Sequence, residues 1–367
     1  MKILGIETSC DDTCASIISA DKNKIEILSN IVSSQTKIHQ EYGGVFPTLA
    51  KREHEKNLIP VLTKALKKAK LLKKKKTKIS RQEIKTISNI FKKGKYLQIE
   101  RFLKKYQKPN IDAIAVTIGP GLEPCLWTGV NFAKALSFFW KIPIIKVNHI
   151  EAHILVNFPS FKKFLPSVCL IVSGGHTQIV LMKNIGDYKI LGETRDDAAG
   201  ECFDKTARIL GLGYPGGPAI SKKAEKTKKG EISLPRPMIY QKNYDFSFSG
   251  LKTAVLYNAK ENKVKSEEYV REMCREIQQS IIDVLIFKTM KAAKNCEAKS
   301  IIIGGGVTAN KELKKQFKSK AKEENISLFY PEKKYCTDNA AMAAITGYLR
   351  KKPIKWNKVE AKANLRI

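Results

Sequence analysis

No stretch of this 367-residue chain approaches the roughly 18 consecutive apolar residues that a membrane-spanning helix needs, so a soluble protein with no membrane partner is expected. The first residues, MKILGIE, read as a strand and reach Glu7, Asp11 and Asp12 before an apolar leader core could form, which predicts no secretory signal. None of the eight cysteines belongs to a C-x-x-C pair, so they read as reduced thiols of the cytoplasm rather than a disulfide frame, with Cys10 and Cys14 as small core or loop residues. Acidic residues are scarce, 35 against 67 Lys and Arg, and the net charge is +32. Residues 64–108 hold 16 Lys and 2 Arg against 2 Glu, so half of that charge sits in about an eighth of the chain. Clustered cations gain by releasing counterions from phosphates, which points to a nucleic-acid surface. A lysine-rich composition, 57 Lys to 10 Arg, produces the same pattern on any exposed helix. At this length two lobes are expected, because single cores stop growing near 250–300 residues.

Histidine is scarce too, at five, yet two of them stand four apart in VNHIEAHI, just after the strand-like run PIIKV. On a helix His149 and His153 share a face at the bite distance of one divalent metal. Two ligands hold a metal weakly, so a third is needed. Asp338, opening the Ala-rich run TDNAAMAA, is one candidate, and it is equally a candidate helix N-cap. Two His and one carboxylate with open positions form a recurrent catalytic set for iron or zinc.

Two segments share a layout. Residues 2–19 and 167–183 each read as strand, polar loop, strand, the second with a glycine pair in its bend. From Lys299 a buried strand runs through a Gly triplet into a Lys-rich helix, an arrangement that brings backbone N–H groups close to a ligand. A strand ending at Thr117 turns through Gly119, Pro120 and Gly121, and residues 129–139 carry apolar residues at helical spacing. Asp196, Asp197, Glu201 and Asp204 surround a helix start facing a Gly-Pro turn, suited to ribose hydroxyls or simply to the helix dipole. NYDFSFSG reads as a short strand before a helix capped by Ser249. Residues 80–106 read as an inserted basic helical hairpin: Ser80 and Glu83 make a capping box, Ile84, Ile87, Ile90 and Phe91 recur at helical period, Gly94 interrupts, and Leu97, Phe102, Leu103 and Tyr106 resume it. The preceding KLLKKKKTK reads as a mobile stretch.

Ten runs in register, GIETSCDDT, YGGVFPTLAKREH, AVTIGPGL, VNHIEAH, VSGGHTQ, DDAAGECFDK, GYPGGP, FSFSGLKTA, GGGVTAN and TDNAAMAA, resemble the TsaD family of tRNA threonylcarbamoyladenosine transferases, once called O-sialoglycoprotein endopeptidases. The resemblance covers nearly the whole chain outside residues 70–108. It implies an α/β fold of the actin, Hsp70 and sugar-kinase type, with duplicated α/β cores and a cleft between two lobes. We place the lobes at 1–154 plus 337–367 and at 155–336, with the basic insertion in the first. The implied reaction moves a threonylcarbamoyl group from threonylcarbamoyl-AMP to the exocyclic amine of the adenosine after the anticodon in ANN-decoding tRNAs. By resemblance His149, His153 and Asp338 hold one divalent metal, iron(II) ahead of zinc. Ile171, Val172, Ser173, Gly174, Gly175, Asp204, Gly217 and Asn310 contact the adenylate, and Asp11 is an essential carboxylate. The implied partners are tRNA, a TsaB-type paralogue and a TsaE-type ATPase, in the cytoplasm.

The chain departs from that pattern at Ser221, where Asp is common after GGP, at LWTG, and at Lys314, where Arg is usual; these touch the fine contacts around the adenylate. Rival readings are a metalloprotease, an ATP-dependent kinase or ATPase of the same fold, and an RNA-binding scaffold. Zincins put Glu directly after the first His, whereas Ile150 follows His149 here and Glu151 points about 200° round the helix.

Overall fold

A near-continuous apolar run is the signature of a strand covered on both faces, and the chain has several. The computed structural model describes residues 1–367 except 23, 92–96, 158–161, 226, 228–229 and 263–265; Gly94, expected to interrupt the basic hairpin, lies outside the described residues. Two units form, Met1–Val156 with Asp338–Ile367, and Asn157–Thr337.

The first unit opens with β1 (Lys2–Glu7), β2 (Asp12–Ala20) and β3 (Ile25–Ser34), continues through α1 (Thr36–Gln40), α2 (Pro47–Lys68), α3 (Arg81–Ile90) and α4 (Leu97–Lys105), and then alternates β4 (Ala113–Gly119), α5 (Glu123–Trp140), β5 (Ile144–Asn148) and α6 (His149–Leu155). β4 is buried at all seven positions, whereas β3, at the sheet edge, is fully buried only at Ser29. Pleating sends Leu4, Ile6, Ile114, Val116 and Ile118 into a core shared with α2 and α5, and Ile3, Ala113 and Ala115 to the opposite face. α5 begins six residues before the periodic stretch at 129–139, since Pro124 at the first turn needs no N–H partner.

The second unit holds β6 (Ser167–Val172), β7 (Thr177–Asn184), β8 (Asp187–Glu193), α7 (Ala199–Ile209), α8 (Gly216–Ala224), α9 (Ser249–Glu261), α10 (Glu267–Asn295), β9 (Ser300–Gly304), α11 (Lys311–Glu323) and β10 (Ser327–Phe329). The chain then rejoins the first unit with α12 (Ala340–Arg350) and β11 (Pro353–Ile354). Among the described residues the sheets run β11-β5-β4-β1-β2-β3 and β10-β9-β6-β7-β8. Both strand-loop-strand segments form antiparallel hairpins, β1–β2 and β6–β7.

Three local expectations need correction. The lysine run is tied down: Lys75 N and Thr77 N donate to the carbonyls of Lys105 and Lys104, and Gln107 N donates to Lys73 O. The two basic helices form, with Ile87, Ile99, Phe102 and Leu103 buried in the first-unit core and Leu97 exposed. Ser249 is the first helical residue and not a cap; its hydroxyl and N–H, with Phe248 N, donate to the Asp196 carboxylate, which serves the helix end from a distance. The strand expected before it shrinks to one bridge between Phe246 and Thr194. The Ser80–Glu83 capping box is present.

Candidate functional site

Parallel neighbours β1, β4 and β5 end side by side at Glu7, Gly119 and Asn148. The carboxyl ends of parallel strands are where open α/β sheets collect ligands. Asn148 Oδ1 accepts from Ile150 N (2.8 Å) and Glu151 N (3.1 Å), so α6 starts at once and His149 and His153 share one face, their rings meeting edge to face with centroids 4.7 Å apart at 86°. On the other strand face a Cβ at Gly5 would run into the Ala340 carbonyl; its absence seats the start of α12 directly on β1. Asn339 takes the N-cap, accepting from Met342 N at 3.2 Å, so the capping alternative for Asp338 is corrected and its carboxylate projects elsewhere. Asp338 Oδ1 lies 3.2 Å from His153 Nε2 and 3.6 Å from His149 Nε2. The three ligand atoms sit within 4.8 Å of one another.

A carboxylate that the sequence reading passed over stands behind this set. Glu7 Oε2 is 3.4 Å from His149 Nδ1 and accepts from Thr117 Oγ1 at 2.5 Å, while Glu7 Oε1 accepts from Ser9 N at 2.6 Å. A metal-binding imidazole is typically oriented by a carboxylate on its other nitrogen; here Glu7 shares Nδ1 of His149 with the nearer Ser9 Oγ at 3.1 Å. Burial opposes the charge on Glu7, yet the hydrogen bond and charge of His149 outweigh it and hold the carboxyl below its usual range. Burial likewise opposes an imidazolium at His149, but Asp338 and Glu7 push it up to about 9. The donor set therefore fits one divalent cation. Glu151 turns away to Arg350 at 3.4 Å, which leaves no carboxylate in the zincin position.

Asp11, on the β1–β2 loop, is held above the usual carboxylate range by burial and then by the charge of Asp338. Asp12 beside it is pushed up to about 7, again by burial first and Asp11 second. The loop is braced by His54, whose Nε2 donates to Cys10 O (2.9 Å) while Thr13 Oγ1 meets Nδ1 (2.8 Å). Burial lowers the His54 pKa to about 4, so the folded chain keeps it neutral. The unfolded chain binds a proton near pH 6.5, so this contribution is complete above that pH and is lost as pH falls toward 4, worth about 3 kcal/mol across the window. Chemical unfolding at several pH values should show the wild-type advantage over His54→Gln shrinking in acid; a constant difference contradicts the assignment.

In the second unit the adenylate candidates fall into two groups. Ile171 and Val172 are wholly buried in β6, so only their backbone could meet a ligand. Ser173 shapes the bend, exchanging bonds with His176 and accepting from Gly200 N. Gly174 and Gly175 have neither positive φ nor a neighbour within 4 Å of an added Cβ, so no internal constraint demands glycine there. Gly216 and Gly217 differ in the same way: a Cβ on the first would sit 2.5 Å from Phe203 O, and on the second no closer than 4.0 Å to Phe203 Cβ. Asp204 Oδ1 accepts from Gly216 N at 2.7 Å, and burial raises its pKa. Asn310 caps α11 and donates to Ser221 Oγ (2.9 Å) and Gln278 Oε1 (2.8 Å), so its amide is fully engaged. Ser221, where the family pattern carries Asp, thus has a structural partner, and Gln278 gave no sequence signal.

A family profile described as TsaD, tRNA N6-adenosine threonylcarbamoyltransferase, matches residues 26–81 and 98–345 and breaks inside the basic helices. The chain is 44% identical over 347 residues to the tRNA N6-adenosine threonylcarbamoyltransferase of Syntrophomonas wolfei, covering 94% of this chain and 91% of that one. It is 43% identical over 349 residues to the enzyme of that name from Bacillus subtilis, covering 95% and 90%. Among solved structures, component A of (R)-2-hydroxyglutaryl-CoA dehydratase from Acidaminococcus fermentans aligns with a TM-score of 0.51 at 12% identity over 95% of this chain and 98% of that one, a likeness of fold alone. The fold is that of the actin, Hsp70 and sugar-kinase class.

Proposed function

The chain belongs to the tRNA N6-adenosine threonylcarbamoyltransferase family, and from that premise we propose that it transfers threonylcarbamoyl from threonylcarbamoyl-AMP to the exocyclic amine of the adenosine after the anticodon in ANN-decoding tRNAs. The observation that carries a metal-assisted version is the convergence of His149 Nε2, His153 Nε2 and Asp338 Oδ1, with Glu7 behind His149. Those residues would hold one divalent metal; two His and one carboxylate with open positions suit iron(II) or zinc, and the resemblance puts iron(II) first. When bound, it supplies Lewis-acid polarisation of the transferred carbonyl. Glu7 fixes Nδ1 of His149 as a donor, leaving Nε2 as the lone pair that ligates. Asp11 accepts the proton that the adenine amine loses as the new C–N bond forms, while the bond from the carbonyl carbon to the phosphate oxygen breaks and AMP leaves with its electron pair. In the second unit Gly174, Gly175 and Gly217 leave backbone open to the adenylate, and Asp204 fixes the turn at Gly216.

The test is transfer to unmodified tRNA with the adenylate supplied, alongside iron and zinc content of the purified chain. Transfer without bound metal removes the metal from the scheme; no transfer under any reconstitution removes the reaction. A TsaB-type paralogue and a TsaE-type ATPase complete the proposed partner set on the resemblance alone, and omitting each from the assay decides them. A tRNA substrate is met in the cytoplasm, where we expect the enzyme to work; no helix among the described residues is long and apolar enough to cross a membrane.

The basic helices supply a phosphate contact in this reading. A hollow of about 710 Å³ is lined by Lys76, Lys78, Arg101, Lys104 and Lys105, with Thr77 and Ile79. Because these helices share the core, deleting residues 72–106 would expose Ile87, Phe102 and Leu103 partners, so charge removal is the cleaner experiment. Changing Lys76, Lys78, Arg101 and Lys105 to Gln should weaken tRNA binding and flatten the slope of log affinity against log salt by up to about 3. An unchanged slope assigns the charge to lysine-rich composition.

A further inference from the structure

Between α1 and α2 the chain displays two aromatic rings. Tyr42 is 60% and Phe46 53% exposed, and the rings stack on each other at 5.9 Å and 23°. Leaving two large apolar side chains in water forfeits their burial, and a pair held this way marks a surface that something covers. Their backbone is anchored from beneath. The wholly buried His39 takes Phe46 N–H at Nδ1 (3.3 Å), its carbonyl accepts from Tyr42 N and Gly44 N, and its Nε2 meets Gln35 Oε1 at 3.1 Å. Among the described residues a second exposed aromatic pair, Tyr240 and Phe287, meets edge to face at 82° and presents no such parallel stack.

What covers the pair follows from its surroundings. Lys37, Lys51 and Arg52 are exposed near the rings in the sequence; Lys51 lies 4.0 Å from Glu55, and the acids of residues 36–55 are Glu41, Glu53 and Glu55, so Lys37 and Arg52 are the cations this segment offers. The same segment is tied to the loop that holds Asp11: Gln35 N donates to the Asp11 carbonyl at 3.2 Å. Flat exposed rings flanked by cations are how proteins take unpaired bases, which are splayed from the strand and stacked on an aromatic face while the phosphates meet Lys and Arg. Resting on the reaction proposed above, we infer that Tyr42 and Phe46 form a stacking platform for an unpaired base of the tRNA loop, holding that loop with its adenosine amine toward Asp11. The rings act by position and touch no reacting atom.

The probe is a synthetic stem-loop RNA with 2-aminopurine beside the adenosine, titrated with the full chain. Wild type should quench the fluorescence on binding. Tyr42→Ala and Phe46→Ala should each lose much of the quenching and raise KM for tRNA on the order of tenfold, with KM for the adenylate unchanged. Tyr42→Phe and Phe46→Tyr keep a ring and should restore both readouts. Because both side chains are exposed, melting temperatures of the Ala variants should stay near wild type, which separates the effect from misfolding. Full quenching and an unchanged tRNA KM in the double Ala variant overturn the platform. So does a double variant that binds RNA normally and loses transfer only when partner proteins are present, since the pair would then be a protein contact. Quenching is read without turnover, so loss of the transfer reaction with quenching intact would overturn the reaction and leave the platform standing.

Discussion

Replacing His153 by Ala should remove bound metal and depress transfer by about a thousandfold or more, since Lewis-acid stabilisation is worth several kcal/mol. The expectation rests on convergence: one carboxylate oxygen of Asp338 faces both Nε2 atoms, at 3.2 and 3.6 Å, and among the described residues no other histidine joins them. His54 and His39 serve as internal controls, because each is already bonded within the first unit, so His54→Gln should keep its metal. Glu7→Gln should fall between, losing about 10- to 100-fold in metal affinity, because it preserves shape and weakens the orientation of His149. Proton and metal compete for His149 Nε2. With the imidazolium pushed up to about 9, metal affinity should decline steadily as pH drops below that value. His153 is buried, so His153→Gln and a thermal melt accompany the Ala variant to separate metal loss from a cavity. Full transfer by a metal-free His149→Ala, His153→Ala protein would sink the metal scheme outright.

Why the pair of histidines was legible while Glu7 was not is a matter of distance along the chain. An i,i+4 face needs only one helix, and Asn148 is a recognisable cap for it. Glu7 and His149 are 142 residues apart, brought together because β1, β4 and β5 are parallel and end at the same edge, an order that no local pattern encodes. The one local hint was an ionisable residue closing the buried run KILGIE. Glycine told the same two-sided story. Gly5 reads as an ordinary strand residue until α12 is seen resting on it, whereas Gly174 and Gly175 stood out in the bend and prove free of internal demands. The lysine run was misread as mobile because composition carries no information about the carbonyls of Lys104 and Lys105 that its N–H groups find. Ser249 was misread as a cap for the same reason: Asp196 lies 53 residues upstream.

Asp11→Asn should cut kcat about 100- to 10,000-fold while leaving metal content and tRNA binding near wild type. An aromatic amine is a weak nucleophile whose proton must leave as the carbonyl carbon is attacked, so a base in place is worth that much. Asn keeps the size of Asp and cannot accept the proton. Asp11 is a base only when ionised, and burial followed by the Asp338 charge raises its pKa, so the acid limb of kcat/KM should lie above that of an ordinary aspartate. Rate then rises as pH climbs through that raised value and levels off beyond it. Asp12 is pushed up to about 7 by burial and by the charge of Asp11, so it is still neutral while Asp11 ionises. Asp12→Asn should therefore leave the limb where it is with kcat preserved, whereas Asp11→Asn should abolish the limb. The profile must be taken at saturating metal, so that proton competition at His149 does not masquerade as loss of the base. An Asp11→Asn enzyme within about threefold of wild type, with its acid limb intact, would move the proton-accepting role to another group and leave Asp11 as a loop residue.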